Sequence, residues 1–406
     1  MLTPDQQKQD CCGCMACSFT CPRSAITMIA DECDFLYPEI NQELCVHCGL
    51  CTSVCPLQEN YTGCDAVPDI YALQNQHKKI VSKSSSGGMF SLLADWVLAQ
   101  RGVIYGVAFD ESFQVRHMRA VSAEDAATFR TSKYVQSDPT QIYHSICEDL
   151  KNGLTVLLTG TPCQIAGVTR FLEMKHADTS RLYTCDNICH GVPSPGVWKD
   201  YLEILKNKYM DSDAQITSIN MRSKRVSWKK QVMDISVSKG TLLPVLEEFS
   251  FNKIFLSLFP VRQSCFHCHF TSYKRPADFT LGDFWNVDSA GIKFDVTGGV
   301  NEVLVNTPKG RELFASIREN TLHQPVSKAA GWQPHLEYST KAPGNQEMFW
   351  TEYNATADLE GKEMLLRKYM KGSTLTRIIR KVNPILQKTG LYSIAGKMYK
   401  AVFVKK

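Results

Sequence analysis

The run Cys45-Val46-His47-Cys48-Gly49-Leu50-Cys51-Thr52-Ser53-Val54-Cys55-Pro56 has the form C-x2-C-x2-C-x3-C-P. Thiolates at that spacing suit a 4Fe-4S cluster, which is gripped corner by corner by cysteines set two residues apart. A second copy stands upstream as Cys11-Cys12-Gly13-Cys14-Met15-Ala16-Cys17-Ser18-Phe19-Thr20-Cys21-Pro22. In paired runs of this kind the cysteine before proline reaches across to the other cluster. The spacing therefore assigns Cys11, Cys14, Cys17 and Cys55 to one cluster, and Cys45, Cys48, Cys51 and Cys21 to a second. Cys12 is out of register, with one residue between it and Cys14; Cys33 and Cys64 lack a partner run and read as free thiols. Two zinc sites are the competing reading, but zinc usually pairs two C-x2-C knuckles across a longer gap, without a trailing Cys-Pro.

Working outward, the chain has 406 residues, 44% hydrophobic and 21% charged, which excludes wholesale disorder and leaves room for two or three domains. A net charge of +4 is too small to imply nucleic acid. Seventeen cysteines would mean disulfides in a secreted chain. Residues 1–10 have no signal-peptide shape, however, and no run approaches the roughly 18 apolar residues of a membrane span. A reducing cytoplasm with metal-bound thiolates is the expected setting.

Residues 1–62 read as a small ferredoxin-like two-cluster domain, with Ala25–Ala30 and Phe35–Ile40 as paired β-prone runs. It is too small for an ordinary apolar core, so the clusters would take that core's place. A linker leads to a larger α+β domain over 68–345. There, Ser84-Ser85-Ser86-Gly87-Gly88 opens an apolar helix, Met89–Gln100. Small residues at a helix start make an anion site that would suit a flavin pyrophosphate, or simply an N-cap and a glycine turn. Leu154–Leu158 is a continuous apolar run, the sign of a buried strand. It ends at Thr159-Gly160-Thr161-Pro162-Cys163-Gln164, with a helix expected over Ile165–Lys175, which places Cys163 at a strand's carboxyl end. Further strands are expected over Leu182–Ile188, Ile216–Arg222 and Gln231–Val237, a helix over Tyr201–Tyr209, and a last strand over Val300–Val305. Cys163, Cys189, Cys265 and Cys268, all in turn-rich contexts, make a four-thiolate set sufficient for a third cluster. Read singly, each is a small buried hydrophobe. Cys185 competes with Cys189 but lies within its presumed strand, and Cys147 falls on a helix. Residues 346–406 read as a helical basic tail: from Lys362 onward twelve Lys or Arg accompany one acidic residue, Glu363. Such a segment lies on a membrane surface or a partner, or is a solvated basic face over a packed apolar stripe.

Six strings in order carry a resemblance. They are Ser84-Ser85-Ser86-Gly87-Gly88, Ser132-Lys133-Tyr134-Val135-Gln136-Ser137, Gly160-Thr161-Pro162-Cys163-Gln164, Cys189-His190-Gly191-Val192-Pro193-Ser194-Pro195, the Cys265-x2-Cys268 pair and Asp278-Phe279-Thr280-Leu281-Gly282-Asp283-Phe284-Trp285. From about Ile70 to Phe314 the chain resembles the coenzyme F420 hydrogenase/dehydrogenase beta-subunit family, here behind a fused two-cluster ferredoxin domain. The resemblance implies a flavin, FAD, on the larger domain, held by Ser85, Ser86, Gly87, Gly88, Lys133 and Thr161. It implies a third 4Fe-4S cluster near that flavin on Cys163, Cys189, Cys265 and Cys268, and electron exchange with a small organic acceptor or donor. It further implies a ferredoxin or other redox partner protein and, by similarity to relatives encoded with capsule or exopolysaccharide genes, a place in polysaccharide assembly. The chain departs from the family at Val81, where an arginine often stands. His190 is a candidate proton donor near the flavin, or a structural histidine. Two other classes compete: an electron-carrier subunit with no substrate of its own, and a thiol enzyme or transferase using Cys163.

Overall fold

The computed structural model describes residues 8–58, 63, 64 and 66–371. The amino-terminal unit holds a hairpin, β1 (Ile26–Ala30) against β2 (Leu36–Ile40), with Ile26 opposite Ile40. Each cysteine run ends in a short helix, Ala16–Thr20 and Leu50–Ser53. Both copies enter that helix with left-handed backbone at the same two places. Gly13 and Met15 have φ of 67° and 70°; His47 and Gly49, at the matching positions, have 52° and 75°. The glycine falls at a different position in each copy, so glycine alone does not dictate the conformation. Met15 and His47 accept a backbone that ordinary residues seldom adopt.

The larger unit is built on eight strands: β3 (Asp69–Asn75), β4 (Val103–Phe109), β5 (Val115–Ala120), β6 (Val156–Gly160), β7 (Leu182–Asn187), and, after the separate antiparallel hairpin of β8 (Ile216–Ser227) and β9 (Lys230–Val237), β10 (Phe279–Asp283), β11 (Asn301–Val305) and β12 (Thr321–Pro325). The sheet order is β12-β3-β11-β10-β7-β6-β4-β5. Its centre, β10-β7-β6-β4, is parallel and its flanks are antiparallel, a mixed α/β arrangement consistent with an α+β fold. The apolar run in β6 feeds both faces. Val156 and Leu158 pack with the Ile142–Lys151 and Pro162–Met174 helices; Leu157 packs with the Met89–Ala99 and Pro308–Ile317 helices.

Three strands escape the sequence pattern. β5 carries two arginines and a histidine, β10 is interrupted by Gly282, and β12 follows the segment expected to be last. The Pro162–Met174 helix begins three residues before its expected start: Thr161 caps it in a capping box with Gln164, and Pro162 suits the first helical position. The helix expected from Tyr201 starts at Pro195, capped by Ser194.

Helices Gln346–Ala355 and Leu359–Tyr369, the start of the expected tail, pack into the body. Phe349, Tyr353, Leu366 and Tyr369 share a core with Trp198, Tyr201 and Phe259. Glu363 is buried and accepts from Lys208, Tyr209 and Arg367. In the described part the packed stripe therefore holds; residues 372–406, with most of the basic charge, lie outside the described residues. No helix among the described residues is long and apolar enough to cross a membrane.

Candidate cluster and cofactor site

The two units meet along a seam of specific contacts. Phe19 stacks on Tyr143 at 4.5 Å, and the Tyr143 hydroxyl donates to the Cys14 carbonyl. Ser194 Oγ donates to the Cys33 carbonyl at 2.6 Å, and Gln136 Nε2 to the Cys12 carbonyl at 3.0 Å. A Cβ on Gly167 would lie 2.8 Å from Cys14 Sγ, so the bare glycine lets the cysteine loop seat on the helix.

Cys21, Cys45, Cys48 and Cys51 line one cavity near the surface, where Cys48 is exposed. Cys11, Cys17 and Cys55 gather more deeply, with buried Cys14. Burial, then the neighbouring Cys11 and Cys55, pushes the Cys17 thiol up to about 12. Cys163, Cys189, Cys265 and Cys268 come from three segments and line a further cavity together with Cys12. Burial pushes Cys189 up to about 12 and Cys268 up to about 11. Such crowded, desolvated thiols become stable thiolates when a cation binds among them. Backbone N–H groups already point at the sulfurs: Gly13 at Cys11 (3.4 Å), Ala25 at Cys21 (3.3 Å) and Gly191 at Cys189 (3.4 Å). Hydrogen bonds to ligand sulfurs are among the features that tune a metal centre.

Spacing separates a cluster from a zinc ion. Zinc with bonds of about 2.3 Å holds its sulfurs about 3.8 Å apart. Among the described residues, the one group whose candidate ligand atoms all converge within 4.8 Å is Asp31, Glu32 and Cys33; no cysteine trio does so. No three cysteine sulfurs among the described residues are thus gathered as closely as one zinc ion would hold them.

The third cysteine cavity shares Cys189, His190, Gly191 and Val192 with a second, larger cavity of about 1600 Å³, counting its open mouth. The larger one lies at the carboxyl ends of β6, β7 and β10, where such sheets build sites. Ser85, Ser86, Gly88, Lys133 and Thr161 all line it. Gly87 lies behind them: a Cβ there would sit 2.2 Å from the Leu73 carbonyl oxygen. The loop is anchored by Ser86 Oγ to the Val300 carbonyl (2.5 Å) and by Ser132 N–H to Ser85 Oγ (3.1 Å). Lys133 directs its ammonium to the carbonyls of Thr128 (2.6 Å) and Arg130 (2.9 Å). His190 lies in the wall between the cavities, its ring 4.2 Å from that of His335 and edge-on to Trp285. Burial, and then the neighbouring His335, push its pKa well down, so the ring is neutral.

Several working residues escaped the sequence. Lys224 holds the serine loop by donating to the carbonyls of Val81 (2.7 Å), Ser86 (2.6 Å) and Gly298 (2.6 Å). His117, buried and pushed down to about 4 by burial, meets Ser137 at 3.1 Å and the Thr159 carbonyl at 3.2 Å. Gln164 donates to Ser137, which ties the Ser132–Ser137 string to the turn bearing Cys163. Arg275 pairs with buried Asp186 at 3.0 Å and donates to the carbonyls of Asn187 and Phe270, joining the Cys189 and Cys268 segments. Cys185 is buried in β7, and Cys147 belongs to the core. For the arginines and lysines the sequence offers no signal beyond charge inside a β-prone or turn-rich segment.

Residues 153–327 match the family described as the C terminus of the coenzyme F420 hydrogenase/dehydrogenase beta subunit, and residues 38–58 match the 4Fe-4S binding domain. No curated protein matches the chain. Among solved structures, it is similar to a chain of the F420-reducing NiFe hydrogenase complex from Methanosarcina barkeri, with 13% identity, 81% of this chain and 96% of that chain covered, and a TM-score of 0.41.

Proposed function

We propose that this chain, which matches the coenzyme F420 hydrogenase/dehydrogenase beta-subunit family over residues 153–327 and the 4Fe-4S binding domain over residues 38–58, is an iron–sulfur flavoprotein oxidoreductase acting on a small organic substrate. One observation carries the reading: the four-cysteine cavity shares the Cys189–Val192 wall with the cavity lined by Ser85, Ser86, Gly88, Lys133 and Thr161. When bound, clusters on the three cysteine sets would carry electrons singly, and a flavin in the larger cavity would exchange them in pairs with the substrate.

The chain's own residues prepare that arrangement. The Ser84–Gly88 loop, held by Lys224 and Ser132, would offer the Ser85 hydroxyl and backbone N–H groups to the phosphates of FAD, the Ser84 and Ser86 hydroxyls being committed to the Ile80 and Val300 carbonyls. Trp285, two-fifths exposed, and Leu256 stand at the open side, where a flat substrate would enter. The set of Cys21, Cys45, Cys48 and Cys51, near the surface with Cys48 exposed, would face a redox partner protein. A nucleophilic role for Cys163 requires a lowered pKa. Contact with Cys12, and then burial, push this thiol well up instead.

The test is metal and flavin content of oxygen-free material. About twelve irons and one flavin per chain are expected, since each cluster contributes four irons. Cys163→Ala should hold about eight irons and keep its flavin. A wild-type chain without flavin, or with about eight irons that Cys163→Ala leaves unchanged, overturns the reading.

A further inference from the structure

Arg262 lies in the seam between the two units, with none of its surface exposed. Its guanidinium donates to the Cys11 carbonyl (2.8 Å), the Leu36 carbonyl (2.9 Å) and Gln136 Oε1 (3.1 Å), and it lies 4.2 Å from the centre of the Tyr37 ring. A Cβ on Gly13 would fall 2.9 Å from Nη1, so the cysteine loop is cut to admit it. Every one of these hydrogen-bond partners is neutral. The other fully buried arginine, Arg275, has Asp186, and the nearly buried Arg222 has Asp283. Among the described residues no carboxylate forms an ion pair with Arg262.

A buried cation without a counter-charge is strongly unfavourable. Beyond these neutral neighbours, sulfur lies on two sides of this one. The Cys11–Cys14 loop lies on one side; on the other, Arg262 forms part of the wall of the cavity holding Cys163, Cys189, Cys265 and Cys268. Clusters on four thiolates are net negative, and each added electron makes them more so. Resting on the iron–sulfur reading above, we propose that Arg262 is the shared counter-ion of the two inner clusters, the Cys11-Cys14-Cys17-Cys55 set and the Cys163-Cys189-Cys265-Cys268 set. A fixed cation in a dry seam favours the more reduced state of whatever faces it, so it raises both potentials. The surface set of Cys21, Cys45, Cys48 and Cys51 lines a cavity that Arg262 does not border.

The experiment is a redox titration of the oxygen-free, iron-loaded chain followed by electron paramagnetic resonance, with Cys48→Ser marking the signal of the surface cluster. Arg262→Gln and Arg262→Met should lower the potentials of the two inner clusters and leave the surface one in place. Arg262→Lys, which keeps the charge, should restore most of the shift. Iron-replete Gln and Met variants with unmoved potentials overturn the proposal. So does a fall of all three potentials together. If the neutral variants lose inner-cluster iron, retention of that iron in Arg262→Lys supports the counter-ion role; equal loss in Arg262→Lys shows that shape rather than charge is needed, and overturns it. A wild-type chain without cluster iron fails the iron–sulfur reading first, a result separable from any variant effect.

Discussion

Gly167 sits on a helix where alanine would be the better helix former, yet a single methyl there would meet Cys14 Sγ at 2.8 Å. Gly167→Ala should cost about 1–3 kcal/mol through overpacking and lower the iron content, measurable by thermal unfolding and metal analysis. Arg275 presents the opposite case, a charge that cannot be spared. Arg275→Met leaves Asp186 buried without its ion-pair partner, a loss of about 3–5 kcal/mol, and frees the Cys189 and Cys268 segments from each other. The measurable outcome is a lower unfolding midpoint together with lost inner-cluster iron; unchanged iron would separate the pair from the cysteine cavity. The two amino-terminal cysteine runs could be read from spacing, because cluster chemistry would need a fixed residue type at a fixed interval. Gly167, Arg262 and Arg275 could not, since each answers to a neighbour far along the chain.

Among the elements, the Ser84–Gly88 turn is the most exacting. Gly87 leaves room for the Leu73 carbonyl, so Gly87→Ala should displace the turn and reduce bound flavin, read from absorbance of purified protein. Retained stoichiometric flavin would show that the turn is not part of its site. β11 carries a different liability. Glu302 is buried, accepts from Gln333 and keeps Oε1 without a partner, and burial raises its pKa to about 8. The folded state holds this proton between about pH 4.5 and 8 while the unfolded chain releases it. Stability from this group is therefore full at low pH and falls as pH rises through that window. Glu302→Gln should remove the dependence and stabilise the chain at pH 8 by on the order of a few kcal/mol, with little effect near pH 4.5. Unfolding midpoints across that pH range check it. Apolar strands such as β6 announced themselves. β5, β10 and β12 did not, because an edge strand or a glycine-containing one needs no apolar alternation.

At the scale of the molecule, the seam joins a unit with little apolar core of its own to a larger one, and one of the three large cores, which takes in Cys14, Met15, Ala16 and Val54, spans it. Tyr143, Phe19, Gln136 and Arg262 cross it, so removal of iron by chelator and reductant should lower the unfolding midpoint of the whole chain in one transition. Two separate transitions would show that the units stand independently. The sequence alone determined the two ferredoxin-type cysteine runs and the family strings, because ligand spacing and tight turns are local and leave their mark in consecutive residues. Only the tertiary structure decided which residues meet across distance: that Cys163, Cys189, Cys265 and Cys268 share a cavity, that its wall is also the wall of the larger cavity, and that a buried arginine without a carboxylate lies in the seam. Those juxtapositions arise from the crossing order of a mixed sheet and from the docking of one unit on another, which bring together segments that periodicity along the chain cannot connect.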